Sequence, residues 1–414
     1  MTDTDALLLD ILRHAIRGKK RKITEALTEE GLRALLDKAE EQKILPLIFD
    51  AIYPSLLLRQ ADKTLVIEYQ KQAVEWVKRQ VIQTNEFLVM LHDIQGNGLD
   101  PIVMKGLVCR ELYPQPMLRY SVDEDLLVSK DLFEIFHHAL VDYGLQADLG
   151  EPDFDKEFEI SYHHPSSPLY VELHRQMFAP DQEAFGLFAD FFSSAHQHTI
   201  TLHVQDMDVR TLSHTDHLLF LILHAFKHFL YGGMGIRQIC DIGLYAQQYG
   251  GQVDWNHIVS SCQQAGMGIL PAALFKILSE HLSTDLEKAH VPSEWQQGEV
   301  DILPLLDDIM TGGLMGNVDE NRMHSSNITL GAVKSKNNRH QSFSGILRSL
   351  FPPPLYIQQQ FLYVKRFPIL LPIGWLHRII LYLTRVKKGK ELHALETIKI
   401  GRERVALLRK YKVI

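Results

Sequence analysis

The chain has 414 residues, of which 46% are hydrophobic and 23% are charged, and its formal net charge is −8. This length predicts two to three domains, and the composition is typical of a soluble globular protein. The acidic charge argues against general binding of nucleic acid or anionic membranes across the surface.

Residues 1–95 have the pattern of a helical region. Apolar residues recur at helical spacing over Ala6–Ile16, and a second helix is expected to begin at Thr28. Leu65–Gln95 is a long amphipathic stretch that ends at Gly96-Asn97-Gly98, a typical helix stop. No cluster of chemically reactive side chains stands out, so a packing role is predicted for this region.

Residues 96–205 change to short, β-branched runs that alternate with turns and two short helices. The predicted strands are Pro101–Met104, Asp125–Val128, Phe158–His163, Leu169–His174 and Thr199–Val204, and the predicted helices are Leu107–Leu112 and Asp131–Tyr143. The pattern predicts an α+β core with a mixed or antiparallel sheet. Neither a Rossmann glycine fingerprint nor a P-loop is present.

Three further regions complete the chain. Residues 206–310 are predicted to be a helical domain, with helices over Asp216–Tyr231 and Ile236–Tyr249. Residues 311–345 are rich in Gly, Asn, Ser and Lys, which predicts a flexible loop. Residues 346–414 are predicted to be a C-terminal helical segment with a basic end, which we interpret as a solvated helix face rather than a polyanion-binding surface.

The cysteine usage and the hydropathy predict a cytoplasmic protein. Cys109, Cys240 and Cys262 are widely spaced and form no metal-type pair, as is typical of free thiols in a reducing compartment. The most apolar stretch, Phe367–Leu383, is broken by prolines and charges and is too short to predict a membrane span.

The candidate chemistry lies at the start of one predicted strand. Asp123 and Asp125 precede an apolar run, and a strand period of two would put both carboxylates on one face, where they could hold a hard divalent cation. Glu172, in an otherwise apolar strand, is the candidate third carboxylate, because burying an unpaired acid is costly. Turn and cap roles for the aspartates, and a solvent-facing edge position for Glu172, are the alternatives.

Cations accompany these acids. Lys105, on a turn with Gly106, and Arg119 are candidates for binding phosphate, or for salt bridges to the aspartates that hold the loop.

Two helices downstream carry further candidates. Lys227, in H-A-F-K-H, is a candidate for reaching the phosphates of the nucleotide. His224 and His228 share a face but lack the glutamate of a zinc protease motif, and the alternative is that they cap a mostly apolar helix face. Arg237 and Asp241 have the spacing of an intrahelical salt bridge, with contact to the nucleotide as the second interpretation.

The run from Lys105 to Val128 reads K-G, six residues, Y-P, four residues, R, three residues, D-x-D-L-L-V. It resembles the hallmark of the bacterial uncharacterised nucleotidyltransferase family, within the DNA polymerase β-like nucleotidyltransferase superfamily. The later segments V-E-L-H, H-A-F-K-H, R-Q-I-C-D and L-L-P-I-G-W-L extend the resemblance over most of the chain.

The resemblance implies a small mixed-sheet nucleotidyltransferase core flanked by N-terminal and C-terminal helical regions. It implies an NTP substrate, two Mg²⁺ ions held by Asp123, Asp125 and Glu172, and a triphosphate contact from Lys105. The sequence departs from the family at two positions: Glu172 stands where Asp is usual, and Glu124 replaces an apolar residue between the aspartates.

The expected activity is transfer of a nucleotide monophosphate from an NTP such as ATP to a hydroxyl or phosphate, with release of pyrophosphate. The expected acceptor is a peptide (for example a lasso peptide), a protein or a small molecule. The two departures motivate an alternative, a nucleotide-binding pseudoenzyme. A third interpretation, a nucleic-acid end modifier, would need a basic groove, and the net charge argues against it.

Overall fold

The structure is a computed structural model that describes residues 1–23, 27–53, 55, 58, 61–148, 150, 152–180, 182, 184–312, 320–337, 357, 361–385 and 391–414. The chain divides into two compact units. The first comprises Met1–Phe226 and Met234–Leu314, and the second comprises Lys227–Gly233 and Met315–Ile414.

Side-chain caps define where three of the N-terminal helices begin. Thr2, Thr28 and Asp62 each accept a hydrogen bond from a backbone N–H in the first turn of the helix that follows. The helices before the sheet are Asp3–Ala15, Glu29–Glu41, Leu45–Ile52 and Lys63–Gly96. The last of these is the long amphipathic helix that the sequence predicts.

A seven-stranded mixed sheet forms the centre of the first unit, in the order β3-β4-β5-β2-β1-β7-β6. The strands are β1 (Ile102–Met104), β2 (Glu124–Leu127), β3 (Gln146–Ala147), β4 (Glu159–His163), β5 (Tyr170–His174), β6 (Thr199–Val204) and β7 (Met207–Leu212). β2 is parallel to β5 and antiparallel to β1, and all four of its residues are buried. The predicted α+β class with a small mixed sheet is therefore confirmed.

The sheet extends beyond the predicted end of the core at residue 205. β6 and β7 form an antiparallel hairpin around Gln205, which has a left-handed φ of 52°. Such a conformation is typical of a tight turn. The predicted boundary of the core coincides with this turn, although Met207–Leu212 continues the sheet beside β1.

Helices cover the rest of the first unit. They are Gly106–Arg110, Phe133–Tyr143, His214–Tyr231 (whose last residues belong to the second unit), Ile236–Tyr249, Trp255–Gln264, Leu270–Leu282, Ser293–Gln296 and Leu303–Gly312. Short 3-10 turns lie at Pro116–Leu118, Lys130–Leu132, Gly186–Phe192, Ala195–Gln197 and Gly250–Gln252.

The second unit contains a helix where the sequence analysis predicts a flexible loop. Its helices are Glu320–Asn337, Leu362–Arg366, Leu371–Arg385 and Glu391–Lys410, with a 3-10 turn at Pro368–Leu370. Within the predicted loop, 311–345, residues 313–319 and 338–345 lie outside the described residues. A polar sequence is helical here because small side chains allow close packing: Thr329 is 1% exposed, and a Cβ on Gly401 would lie 2.6 Å from Ile328 Cδ1.

Over the part of the chain that the structure describes, no helix combines the length and the apolar character that crossing a membrane requires. The apolar stretch Phe367–Leu383 lies in the turn at Pro368–Leu370 and the helix that follows.

Candidate functional site

The central strands bring the predicted acids and Lys105 to one edge of the sheet. Asp125 on β2 lies opposite Glu172 on the parallel strand β5 and opposite Met104 on the antiparallel strand β1. Lys105 follows Met104 directly. Three strands therefore converge where these charged side chains stand.

Lys105 links the two aspartates. Its Nζ lies 2.8 Å from Asp125 Oδ1 and 3.9 Å from Asp123 Oδ2. The side chain of Asp125 is 1% exposed, whereas that of Asp123 is 33% exposed. Burial opposes charge on Lys105, but Asp125, Asp123 and Glu172 together raise its pKa, so the ammonium is maintained.

His174, at the end of β5, is a member of this cluster that the sequence analysis does not single out. Its Nε2 lies 3.1 Å from Asp125 Oδ1 and 3.6 Å from Glu172 Oε2, and its Nδ1 lies 3.2 Å from Glu159 Oε2. Burial disfavours the imidazolium, but these carboxylates raise the pKa of His174 well above its usual range. The signal was present in the sequence, since His174 is two residues from Glu172 and shares its strand face.

The carboxylates suit a divalent cation. Ligand atoms of Asp125, Glu172 and His174 lie within 4.8 Å of one another. Burial alone would raise the pKa of Asp125. The opposing effects of Lys105 and His174 are larger and lower this pKa to about 2, so the carboxyl group is ionised at neutral pH. Its Oδ2 is buried and has no hydrogen-bond partner among the described residues. A bound cation would satisfy that oxygen.

Glu124, between the aspartates, points to the opposite face of β2. It is fully buried and forms an ion pair with Arg110, and Gln83 Nε2 donates to its Oε1 at 3.1 Å. Gly106 lies against its carboxylate, because a Cβ there would be 2.4 Å from Glu124 Oε2. The glutamate therefore does not enter the space beside Asp125, and Gly106 has a packing reason to be glycine.

Arg119 is held by Asp241 rather than by Asp123 or Asp125. Its Nε and Nη2 lie 3.1 Å and 2.7 Å from the two carboxylate oxygens of Asp241, and Tyr113 donates to the same carboxylate at 2.8 Å. Both charged groups are buried. The default expectation of an Arg237–Asp241 pair is wrong, because Arg119 occupies Asp241 in a bidentate geometry.

The two remaining predicted nucleotide contacts lie elsewhere. Arg237 donates from Nη1 to the carbonyl of Tyr120, three residues before Asp123. Lys227 belongs to the second unit, whereas the other candidate residues belong to the first. For both, a contact with the nucleotide stays a prediction.

A buried relay fixes the Lys105 backbone, which has an unusual φ of 30°. The Lys105 N–H donates to His217 Nε2 at 3.1 Å, His217 Nδ1 lies 3.3 Å from Thr211 Oγ1, and that hydroxyl donates to Val103 O at 2.6 Å. Burial lowers the pKa of His217 to about 3, so the ring is neutral and can accept. Sequence reasoning missed His217 because 112 residues separate it from Lys105.

Replacing His217 with Leu should lower the free energy of unfolding by about 1–3 kcal/mol, because the buried Lys105 N–H loses its acceptor. The His217→Gln variant keeps an acceptor and should lose less. Urea unfolding of both variants measures the difference. Equal losses in the two variants would show that the relay does not hold this turn.

The family described as "Uncharacterised nucleotidyltransferase" matches residues 28–280, more than half of the chain. No curated protein matches. A solved structure, an antigenic nucleotidyltransferase-like protein from Paracoccidioides brasiliensis, is similar at 13% identity and a TM-score of 0.31, covering 51% of this chain and 94% of that chain. The family match, which includes β1, β2 and β5 with their charged residues, shows that the chain belongs to the uncharacterised nucleotidyltransferase family and is a nucleotidyltransferase.

Proposed function

We propose that the protein transfers a nucleotide monophosphate from an NTP to a hydroxyl or phosphate of an acceptor, in a Mg²⁺-dependent reaction that releases pyrophosphate. The observation that supports this most is the convergence of Asp125, Glu172 and Lys105 at one sheet edge, with a buried carboxylate oxygen that has no partner among the described residues. Carboxylates gathered in this way are the ligands that Mg²⁺ prefers.

Asp123, Asp125 and Glu172 would hold the metal, and two ions are proposed on the basis of the family resemblance. When bound, Mg²⁺ supplies charge neutralisation at the phosphates and a lower pKa for the attacking hydroxyl. His174 faces carboxylates with both ring nitrogens, so it orients Asp125 and Glu172 rather than binding the metal itself.

The remaining residues have roles in proton transfer and phosphate binding. Burial raises the pKa of Glu172, which suits a carboxylate that accepts the proton of the acceptor hydroxyl. Lys105 contacts the triphosphate as a point charge. Gly106, Arg119 and Asp241 support the turn and the loop around it, and Arg237 and Lys227 remain proposed contacts to the nucleotide.

The proposed acceptor is a peptide, such as a lasso peptide, a protein side chain or a small molecule. ATP is one of the proposed NTP donors. The three cysteines are free and buried, which supports action in the cytoplasm.

Incubating the full chain with each of the four labelled NTPs, candidate acceptors and Mg²⁺ tests this proposal. We expect release of pyrophosphate that stops when EDTA removes the metal and returns when Mg²⁺ is restored. Binding of NTP without pyrophosphate release under any of these conditions would contradict the proposal and favour the pseudoenzyme interpretation.

A further inference from the structure

A second group of charged and aromatic side chains adjoins the acidic cluster. Buried Gln42 links segments that are distant in the sequence. The Oε1 of Gln42 accepts from the backbone N–H of Ile236 at 2.9 Å, and its Nε2 donates to Ile309 O at 3.0 Å. The neighbours of these two residues in the sequence are Lys43 and Arg237. The bond from Gln42 to Ile236 therefore brings the backbones of the two cations together, and Arg237 is close enough to lower the pKa of Lys43.

Lys43 occupies a position that favours glycine. It follows the helix Glu29–Glu41 with a φ of 58°, and the N–H of Ile44 returns to Ala39 O at 2.8 Å, as in a helix C-terminal motif that normally carries glycine. A left-handed conformation is unfavourable for a residue with a Cβ. Such a backbone outlier points to a use for the side chain.

A pair of stacked aromatic residues connects the two cations, one through a ring and the other through a backbone carbonyl. Lys43 Nζ lies 5.3 Å from the ring centroid of Trp76. The Trp76 ring stacks on Tyr120 with 4.8 Å between centroids, and the Tyr120 carbonyl accepts from Arg237 Nη1. Tyr120 is three residues before Asp123, so the platform continues into the loop that carries the partly exposed aspartate of the acidic cluster.

Neither cation forms a close ion pair within the described part of the chain. Among the described residues, no carboxylate lies within 4.0 Å of the charged group of either Lys43 or Arg237, and Arg237 Nε is buried without a hydrogen-bond partner. Burial lowers the pKa of Lys43, and Arg237 lowers it further, whereas Glu40 opposes this. Burial and Arg119 lower the pKa of Arg237, against the opposing charges of Asp241 and Asp123. Two like charges that act on each other, are partly desolvated and have no carboxylate within 4.0 Å among the described residues favour an anion.

We infer that Lys43 and Arg237, on the Trp76–Tyr120 platform, form a subsite that binds phosphate groups next to the proposed metal site. This deepens the proposed function, on which it rests. Phosphate matches the pair because a guanidinium grips it through two N–H groups and an ammonium contacts it as a point charge. The phosphates belong either to the NTP or to a phosphorylated acceptor.

Calorimetric binding of inorganic pyrophosphate to the full chain in EDTA tests the subsite without metal or turnover. We expect Lys43→Gly and Arg237→Gln each to weaken binding by about tenfold or more, the loss expected for one charge-assisted contact. Lys43→Gly should also raise Tm, because glycine adopts the left-handed conformation without strain. A weaker ligand affinity in a more stable protein cannot come from misfolding.

Lys78→Ala is the matched control, because it removes one positive charge from the exposed face of the long helix, where Lys78 is 64% exposed. It should bind pyrophosphate as the unmodified protein does. Equal affinity in all four proteins would overturn the subsite, as would a loss in Lys78→Ala as large as that in Lys43→Gly.

Competition identifies the source of the phosphates. If a saturating mixture of the four NTPs in EDTA displaces pyrophosphate, the subsite holds the phosphates of the NTP. If pyrophosphate still binds in the presence of the NTPs, and Lys43→Gly still weakens the affinity for pyrophosphate, the subsite holds a phosphate of the acceptor. Both results support the subsite, and neither depends on whether the protein shows Mg²⁺-dependent transfer.

Discussion

The Asp125→Asn variant should lose nucleotidyl transfer by about a thousandfold or more. Asparagine keeps the shape of the side chain but removes the negative charge that would bind the metal, and metal-supplied charge stabilisation contributes several kcal/mol to such reactions. Pyrophosphate release under saturating NTP and Mg²⁺ measures the effect. Asp208→Asn, at an exposed position on the β6–β7 hairpin, is the control and should keep full activity.

Asp125→Asn should also reduce stability, which must be separated from the chemical effect. Asp125 is buried against Lys105 and His174, so neutralising it leaves two cations without their main partner. We expect a loss of about 3 kcal/mol in the free energy of unfolding, as for other broken buried pairs. Adding Lys105→Met should restore part of that stability but no activity. Near-normal transfer by Asp125→Asn would show that the metal site is wrongly assigned.

The sequence predicts the sheet edge because the rules that place Asp125 and Glu172 there are local. Alternation along a strand puts Asp123 and Asp125 on one side, and an acid within an apolar strand marks Glu172. The structure brings Asp125 and Glu172 together, while Asp123 stands further out beside Lys105. The same alternation places Glu124 on the opposite face, which removes one reason to expect an altered site.

Partners that are distant in the sequence could not be predicted in this way. Arg119 and Asp241 are 122 residues apart, so the local i,i+4 rule assigned Asp241 to Arg237 instead. Lys43 is in a region without an evident cluster of chemical groups, and only the fold places it near Arg237. Composition also failed over Glu320–Asn337, because packing of small side chains between helices overrides the polar character of the segment.

The Glu124→Leu variant should lower the free energy of unfolding by about 3–5 kcal/mol, because it leaves the Arg110 guanidinium buried without its carboxylate. Arg110 is 1% exposed, and among the described residues its remaining side-chain partner is Ser121 Oγ at 2.6 Å. Burial lowers the pKa of Arg110 and raises that of Glu124, so each depends on the other to carry its charge. Urea unfolding of the full chain measures the loss.

The double variant Arg110→Met/Glu124→Leu decides what the pair does. Replacing both charged residues by apolar side chains of similar volume removes both the attraction between the charges and the cost of desolvating them. The free energy of unfolding should therefore return to within about 1 kcal/mol of that of the starting protein. Because Glu124 faces away from Asp125, the double variant should also keep its transfer activity. If the double variant recovers its stability but loses transfer activity, Glu124 acts on the site through the strand. If Glu124→Leu alone lowers the free energy of unfolding by less than about 1 kcal/mol, the buried pair does not hold the strand.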